Sequence, residues 1–196
     1  DYITVFNQSD LALTQARKSS SQNIIVYDDK MQKEQDNQLE AEKLILESIK
    51  NDYFYLVYQP QYEISNKKLR GFETLIRCKK PDGTIVSPGF YIPVAERSNL
   101  ILEIDDYVLK RAMTEFKPIL DQLTKKVTIS VNVSAKNISK ENFAEKIEKL
   151  ISETEFPSEC LEIEITEYSL AESMKNTIRN IKQLRAMGVQ IALDDF

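Results

Sequence analysis

From residue 53 onward, apolar positions follow two rhythms that alternate along the chain. Short continuous runs rich in Val, Ile, Leu and Tyr predict strands over Tyr53–Gln59, Leu69–Cys78, Val127–Val133, Leu161–Thr166 and Val189–Leu193. Between them, apolar residues recur at helical spacing and predict helices over Leu102–Leu120, Ser139–Ile151 and Ser173–Met187. Ser139 and Ser173 are expected N-caps, and Gly188 is an expected helix stop. The strands are unbroken apolar runs, not apolar–polar alternations, which is the pattern of a parallel sheet covered by crossover helices. The pattern implies an α/β fold, either a (β/α) barrel or an open doubly wound sheet. With four glycines in the chain and no Gly-rich phosphate loop, the dinucleotide-binding and P-loop versions of the open sheet lose their main support.

The first fifty residues behave differently. Residues 8–18 predict a helix with Asp10 near its start, Ser19-Ser-Ser-Gln22 a turn, and Asn23-Ile-Ile-Val-Tyr27 a short strand. From Asp28 to Asn51 the composition turns to Lys, Glu, Gln and Asn, with Ala41, Ile45 and Ile49 on one helical face. That segment reads as a linker helix docking onto the strand-rich region after it.

Composition narrows the chemistry. With 42% hydrophobic residues among 196, the chain can build a real core. A formal charge of −5 argues against a nucleic-acid-coating surface, so neither DNA nor RNA is an expected partner. There is no histidine, so catalysis must rest on carboxylates, lysines, hydroxyls or a metal. Cys78 and Cys160 fit neither a zinc pattern nor a disulfide framework and are expected to be reduced thiols. No run approaches the roughly 20 apolar residues of a membrane span, and no signal-peptide pattern opens the chain, so a soluble cytoplasmic protein is expected.

Oxygen-bearing side chains recur where the predicted strands end. Glu73 lies within the second strand, Asn132 ends the third, Glu164 and Glu167 end the fourth, and Asp194 and Asp195 end the fifth. In a (β/α) barrel such positions meet at one mouth. Carboxylate and amide oxygens suit hard cations such as Mg²⁺ or Mn²⁺, and a pair of such ions can activate water and stabilise a leaving oxygen. Singly, each residue has an ordinary explanation: a strand Glu usually faces solvent, and Asp194-Asp195 would serve a turn or cap. Glu164, between two isoleucines, is costly to bury unless paired or ligating. Arg77 comes two pleat repeats after Glu73 and is expected on the same face, where it can grip a phosphate or pair with a carboxylate. Gln59-Pro60 and Phe90-Tyr-Ile-Pro93 read on their own as strand-end and loop punctuation.

These residues fall into motifs. Tyr58-Gln-Pro60, Gly71-Phe-Glu-Thr-Leu-Ile-Arg77, Tyr91-Ile-Pro-Val-Ala-Glu96, Ser130-Val-Asn-Val-Ser-Ala135, Glu164-Ile-Thr-Glu167 and Ala192-Leu-Asp-Asp-Phe196 occur in order. Through them residues 52–196 resemble the N-terminal part of the EAL family of cyclic-di-GMP phosphodiesterases. Residues 1–29, by Ser9-Asp-Leu-Ala-Leu-Thr-Gln-Ala-Arg17, are similar to the end of a GGDEF domain, leaving 30–51 as a helical linker. The resemblance implies a TIM-like (β/α)₈ barrel, here incomplete and truncated after about its fifth strand. It also implies two Mg²⁺ or Mn²⁺ ions and hydrolysis of cyclic-di-GMP to pGpG. Carried over by motif, Glu73, Asn132, Glu164, Asp194 and Asp195 would be metal ligands. Asp195 would also serve the attacking water, with Glu167 supporting the cluster as the second catalytic residue. Gln59, Leu75, Arg77 and Pro93 would line the substrate site. Thr74 stands where the family signature has Ala. The family pattern continues beyond Asp-Asp-Phe with further catalytic residues, so this chain alone is expected to be inactive. The implied partners are cyclic-di-GMP, an intramolecular GGDEF neighbour and, in the complete protein, a second copy. A non-catalytic cyclic-di-GMP receptor or regulatory module and a non-functional gene fragment are the alternatives.

Overall fold

A computed structural model describes residues 1–18, 24–166 and 174–194, and the chain divides into two units, residues 1–44 and 45–196. In the first unit, helix α1 (Tyr2–Lys18) begins well before residue 8, and α2 (Asp29–Asn51) continues into the second unit. The carboxylate of Asp28 accepts from the Lys30 amide at 3.1 Å and so caps the start of α2. Over its described residues the expected strand at Asn23–Tyr27 is not formed: residues 24–28 take no regular structure, and Ile24 and Val26 are exposed, while Asn23 and the expected turn before it lie outside the described residues. A β-prone run becomes a strand only when another strand satisfies its ladder, and the first unit has none among its described residues. On α2 the buried positions are Ala41, Leu44, Ile45 and Ser48, while Ile49 is half-buried.

The second unit is an α/β arrangement around a mixed sheet. Its strands are β1 (Phe54–Tyr62), β2 (Leu69–Lys79), β3 (Ile85–Val86), β4 (Thr128–Asn132), β5 (Leu161–Thr166) and β6 (Gln190–Asp194). Their order is β1-β2-β4-β5-β6, with β3 attached to β2. From β2 to β6 the main path is parallel, as the apolar runs predict. β1 departs from that expectation by pairing antiparallel with β2. The connection over residues 63–68 is too short for a crossover, which needs a dozen residues or more.

The helices are α3 (Pro88–Arg97), α4 (Leu100–Gln122), α5 (Ala135–Ile138), α6 (Phe143–Thr154) and α7 (Met174–Ala186). Two expectations change here. Phe90–Pro93 is helical: Ser87 caps α3 by accepting from the Gly89 amide at 3.3 Å, Pro88 opens the helix, and Pro93 sits inside it. Ser139 is the C-cap of α5 and not an N-cap; Asn142 precedes the first residue of α6. Ser134, which accepts from the Asn137 amide at 3.2 Å, is the residue that starts α5. The expected Ser173 cap lies outside the described residues. Gly188 ends α7 with φ of +94°, as expected of a helix stop.

The core lies between sheet and helices. Ile101, Ile104, Val108, Ala112 and Phe116 form a buried stripe along α4, which packs on β1, β4, α3 and α6. Ile129 and Val131 of β4 and Leu161, Ile163 and Ile165 of β5 are buried on the helix-facing side. Each such side chain contributes about 1.5–3 kcal/mol. The parallel strands and their crossover helices constitute part of a TIM-like (β/α)₈ barrel, and the sheet face away from the helices carries the polar residues.

Candidate functional site at the strand ends

Alternation along each strand and register between strands together build the site. Glu73, Ser130, Glu162 and Gln190 occupy one row across β2, β4, β5 and β6, and Asn132, Glu164 and Ala192 occupy the next. Paired residues of neighbouring strands share a face. The alternation Leu161-Glu-Ile-Glu-Ile165 therefore places both glutamates on the face away from the helices while its aliphatic residues fill the core. Gly71 makes the close approach of β2 and β4 possible: a Cβ there would lie 2.3 Å from Thr128 Oγ1 and 2.4 Å from the Thr128 carbonyl oxygen.

Three of the predicted ligands converge. Asn132 Nδ2 donates to Glu73 Oε1 at 3.1 Å, and Glu164 stands beside Asn132 in the adjacent strand. Glu164 is only 8% exposed and receives Gln61 Nε2 at 3.4 Å. Burial raises its carboxyl above the ordinary range, and the nearby carboxylates of Glu73 and Glu162 raise it further. Among the described residues no group of three or more acidic or thiol side chains forms a metal cage. What the strands offer is a set of oxygen donors, Glu73, Asn132 and Glu164, in which a cation would relieve the repulsion between the two carboxylates. That donor chemistry fits Mg²⁺ or Mn²⁺ and not a soft metal.

Beneath this trio lies a pair that the sequence reading missed. Glu162, 3% exposed, accepts both terminal nitrogens of Arg70, one of them at 3.1 Å, and the Ser130 hydroxyl at 2.7 Å. Gln61 Oε1 accepts from the same Arg70 nitrogen at 3.1 Å. Arg70 reaches inward because the hairpin register steps from Gln61↔Gly71 to Tyr62↔Leu69, leaving Arg70 as the extra residue of a β-bulge. The alternation Leu161-Glu-Ile-Glu-Ile165 is a signal that could have found Glu162; nothing in the sequence announces the bulge.

A cavity of about 610 Å³ opens beside the strand ends, walled by α3, α4, β2, β4, β5 and the turn after β4. Leu75, Arg77, Asn132, Glu164 and Thr166 line it. Arg77 donates to the Ile76 carbonyl at 2.8 Å and pairs with no carboxylate among the described residues, which leaves its outer donors for a ligand. Asp105 also faces the cavity, although it occupies a position in the apolar stripe of α4 where a charge is out of place, a signal that sequence reading could have used. Its carboxylate accepts the Ser134 hydroxyl at 2.6 Å and the Ser134 amide at 3.1 Å. Burial pushes its pKa up to about 6 against these hydrogen bonds. Thr74 also borders the cavity, and its buried hydroxyl has no hydrogen-bond partner among the described residues.

Other predicted residues stand apart from the trio. Gln59 is exposed and opposite Glu73 in the hairpin, and Pro93 is exposed on α3; neither lines the cavity. Asp194 ends β6 opposite Thr166, but its side chain, like Glu167 and Asp195, lies outside the described residues.

Comparison with known proteins bears on the family and the fold. The EAL domain matches residues 42–196. Cyclic di-GMP phosphodiesterase PdeB of Shewanella oneidensis is 32% identical over 98% of the chain and 23% of its own length. Signaling protein YkoW of Bacillus subtilis is 27% identical over 100% of the chain and 24% of its own length. The chain thus spans about a quarter of the length of these curated relatives. Among solved structures, the PaMucR phosphodiesterase in its c-di-GMP complex matches with a TM-score of 0.74 and 27% identity, over 80% of this chain and 64% of that one. The EAL enzyme Bd1971 in its cAMP and cyclic-di-GMP bound form matches with a TM-score of 0.75 and 27% identity, over 82% and 44%. Motifs, fold and relatives agree, and the chain belongs to the EAL domain family.

Proposed function

We propose that this chain supplies the first strands of a cyclic-di-GMP phosphodiesterase barrel, which hydrolyses one phosphodiester bond of the cyclic dinucleotide to give linear pGpG. The observation that carries this reading is the meeting of Glu73, Asn132 and Glu164 beside a cavity into which Leu75 and Arg77 project. The names of PdeB and PaMucR support the choice of substrate.

In this reading Glu73, Asn132, Glu164, Asp194 and Asp195 hold two Mg²⁺ or Mn²⁺ ions. Once bound, such ions stabilise charge on phosphoryl oxygens and lower the pKa of water. The Asn132–Glu73 hydrogen bond holds these two side chains together across β2 and β4, so that both would be at hand for one ion. Arg77 donates to a phosphate oxygen while its contact with the Ile76 carbonyl fixes the guanidinium plane. Leu75 supplies an apolar wall, Gln59 and Pro93 would meet the substrate outside the cavity, and Glu167 and Asp195 orient the attacking water. Residues 1–29 are read as the end of a GGDEF-like domain, 30–51 as a linker and 52–196 as the EAL portion, on the motif Ser9-Asp-Leu-Ala-Leu-Thr-Gln-Ala-Arg17 and the EAL motifs after it. A second copy in the complete protein and a cytoplasmic site complete the proposal. No described helix is long and apolar enough to cross a membrane.

Turnover of cyclic-di-GMP to pGpG by the protein carrying this chain, with Mn²⁺ or Mg²⁺, tests the reading. Glu73→Ala is expected to lower turnover roughly 100-fold or more, through loss of an ion ligand. Binding of the dinucleotide with no turnover under either ion would replace the enzyme by a receptor.

A further inference from the structure

We propose that Arg70 is a positioning residue of the acidic site: its fork locks Glu162 and the Gln61 amide, and through Gln61 it fixes the Glu164 carboxylate. The inference rests on the proposed metal-dependent site and adds to it a residue with no contact to substrate or ion.

Strand alternation brings three carboxylates, Glu73, Glu162 and Glu164, to one face of the sheet. Left to themselves they repel one another, and Glu162 is too deeply buried to escape to water. Arg70 answers the innermost of the three with a two-pronged charge-assisted hydrogen bond. One of those two guanidinium nitrogens also donates to Gln61 Oε1. An amide oxygen held in this way leaves its nitrogen one direction to point, and Gln61 Nε2 points at Glu164 Oε1. The Ser130 hydroxyl, 2.7 Å from Glu162 and 3.5 Å from Gln61 Oε1, closes the network from β4. The β-bulge is the independent sign of this role, because without the extra residue in β2 the Arg70 side chain would lie on the opposite face.

Removing the charge at Arg70 would itself draw cations toward the remaining carboxylates and mask a loss of geometry. Arg70→Lys avoids this, since lysine keeps the charge and lacks the planar fork. Two measurements on the protein decide the question. In the ion-free protein, the Gln61 side-chain amide protons are followed by NMR hydrogen exchange; Arg70→Lys is expected to speed their exchange at least about tenfold. Free Mn²⁺ is then counted by electron paramagnetic resonance, and the same variant is expected to bind Mn²⁺ about 10–100-fold more weakly, the usual effect of losing an outer-shell partner. Unchanged Gln61 exchange overturns the proposal whether or not any ion binds. So does faster exchange with Mn²⁺ affinity equal to that of the unsubstituted protein. Failure of the unsubstituted protein itself to bind Mn²⁺ would instead sink the metal-dependent reading, and the Gln61 measurement would still decide what Arg70 does.

Discussion

Asp105 shows how much a single buried carboxylate can report. It accepts two hydrogen bonds from Ser134, two residues beyond Asn132, yet burial outweighs them and lifts its pKa to about 6. The folded protein therefore holds a proton on Asp105 between about pH 4 and 6 where the unfolded chain has lost it. Stability must fall as pH rises through that window, at up to about 1.4 kcal/mol per pH unit from this group. Asp105→Asn keeps an oxygen for the Ser134 amide and removes the titration. Urea denaturation at pH 4.5 and 7 is expected to show the variant gaining on the original protein as pH rises. A constant difference between the two would show that Asp105 does not titrate in this range.

At the level of elements, the site depends on the junction of β2 with β4. Gly71 stands against Thr128 with no room for a Cβ, so Gly71→Ala must push backbone from backbone. A loss of about 1–3 kcal/mol is expected in urea denaturation, as for an overpacked core. Since Glu73 and Asn132 lie just beyond this contact on the same two strands, their hydrogen bond should lengthen as well. A variant with an unchanged unfolding midpoint would mean that the strands separate at no cost. The α3 region shows where pattern reading stops: Phe90-Tyr-Ile-Pro93 reads as loop punctuation, but the cap at Ser87 and the burial of Tyr91 outweigh Pro93.

For the molecule as a whole, an ion bound only by the folded state must stabilise it. If the acidic site takes Mn²⁺, ion at 100 times its dissociation constant adds about 2.7 kcal/mol, and the melting midpoint rises by several degrees. Glu73→Ala should abolish that rise; a midpoint insensitive to Mn²⁺ in the original protein would count against the site. The parallel path of the sheet and the rows holding Glu73, Asn132 and Glu164 were legible because apolar runs and strand ends are set directly by residue spacing. Three features were not legible. The direction of β1 depends on a short connection, the inward turn of Arg70 depends on a register step, and the Asp105–Ser134 contact joins residues far apart in sequence.

The hairpin register also bears on how the molecule assembles. β1 and β2 are neighbours in sequence, whereas β2 must find β4 across the span from Gly71 to Thr128. Local pairing carries the smaller loop-closure cost, so the hairpin is the element best placed to form early. β4 and β5 then add to an edge whose alignment is already settled. A hairpin closed without its bulge would put Arg70 and Glu73 on opposite faces of β2, and where pairing is anchored at the turn it is Glu73 that goes toward the helices. Such a chain would keep its strands paired while Glu162 and Glu164 of β5 lost Glu73 from their face.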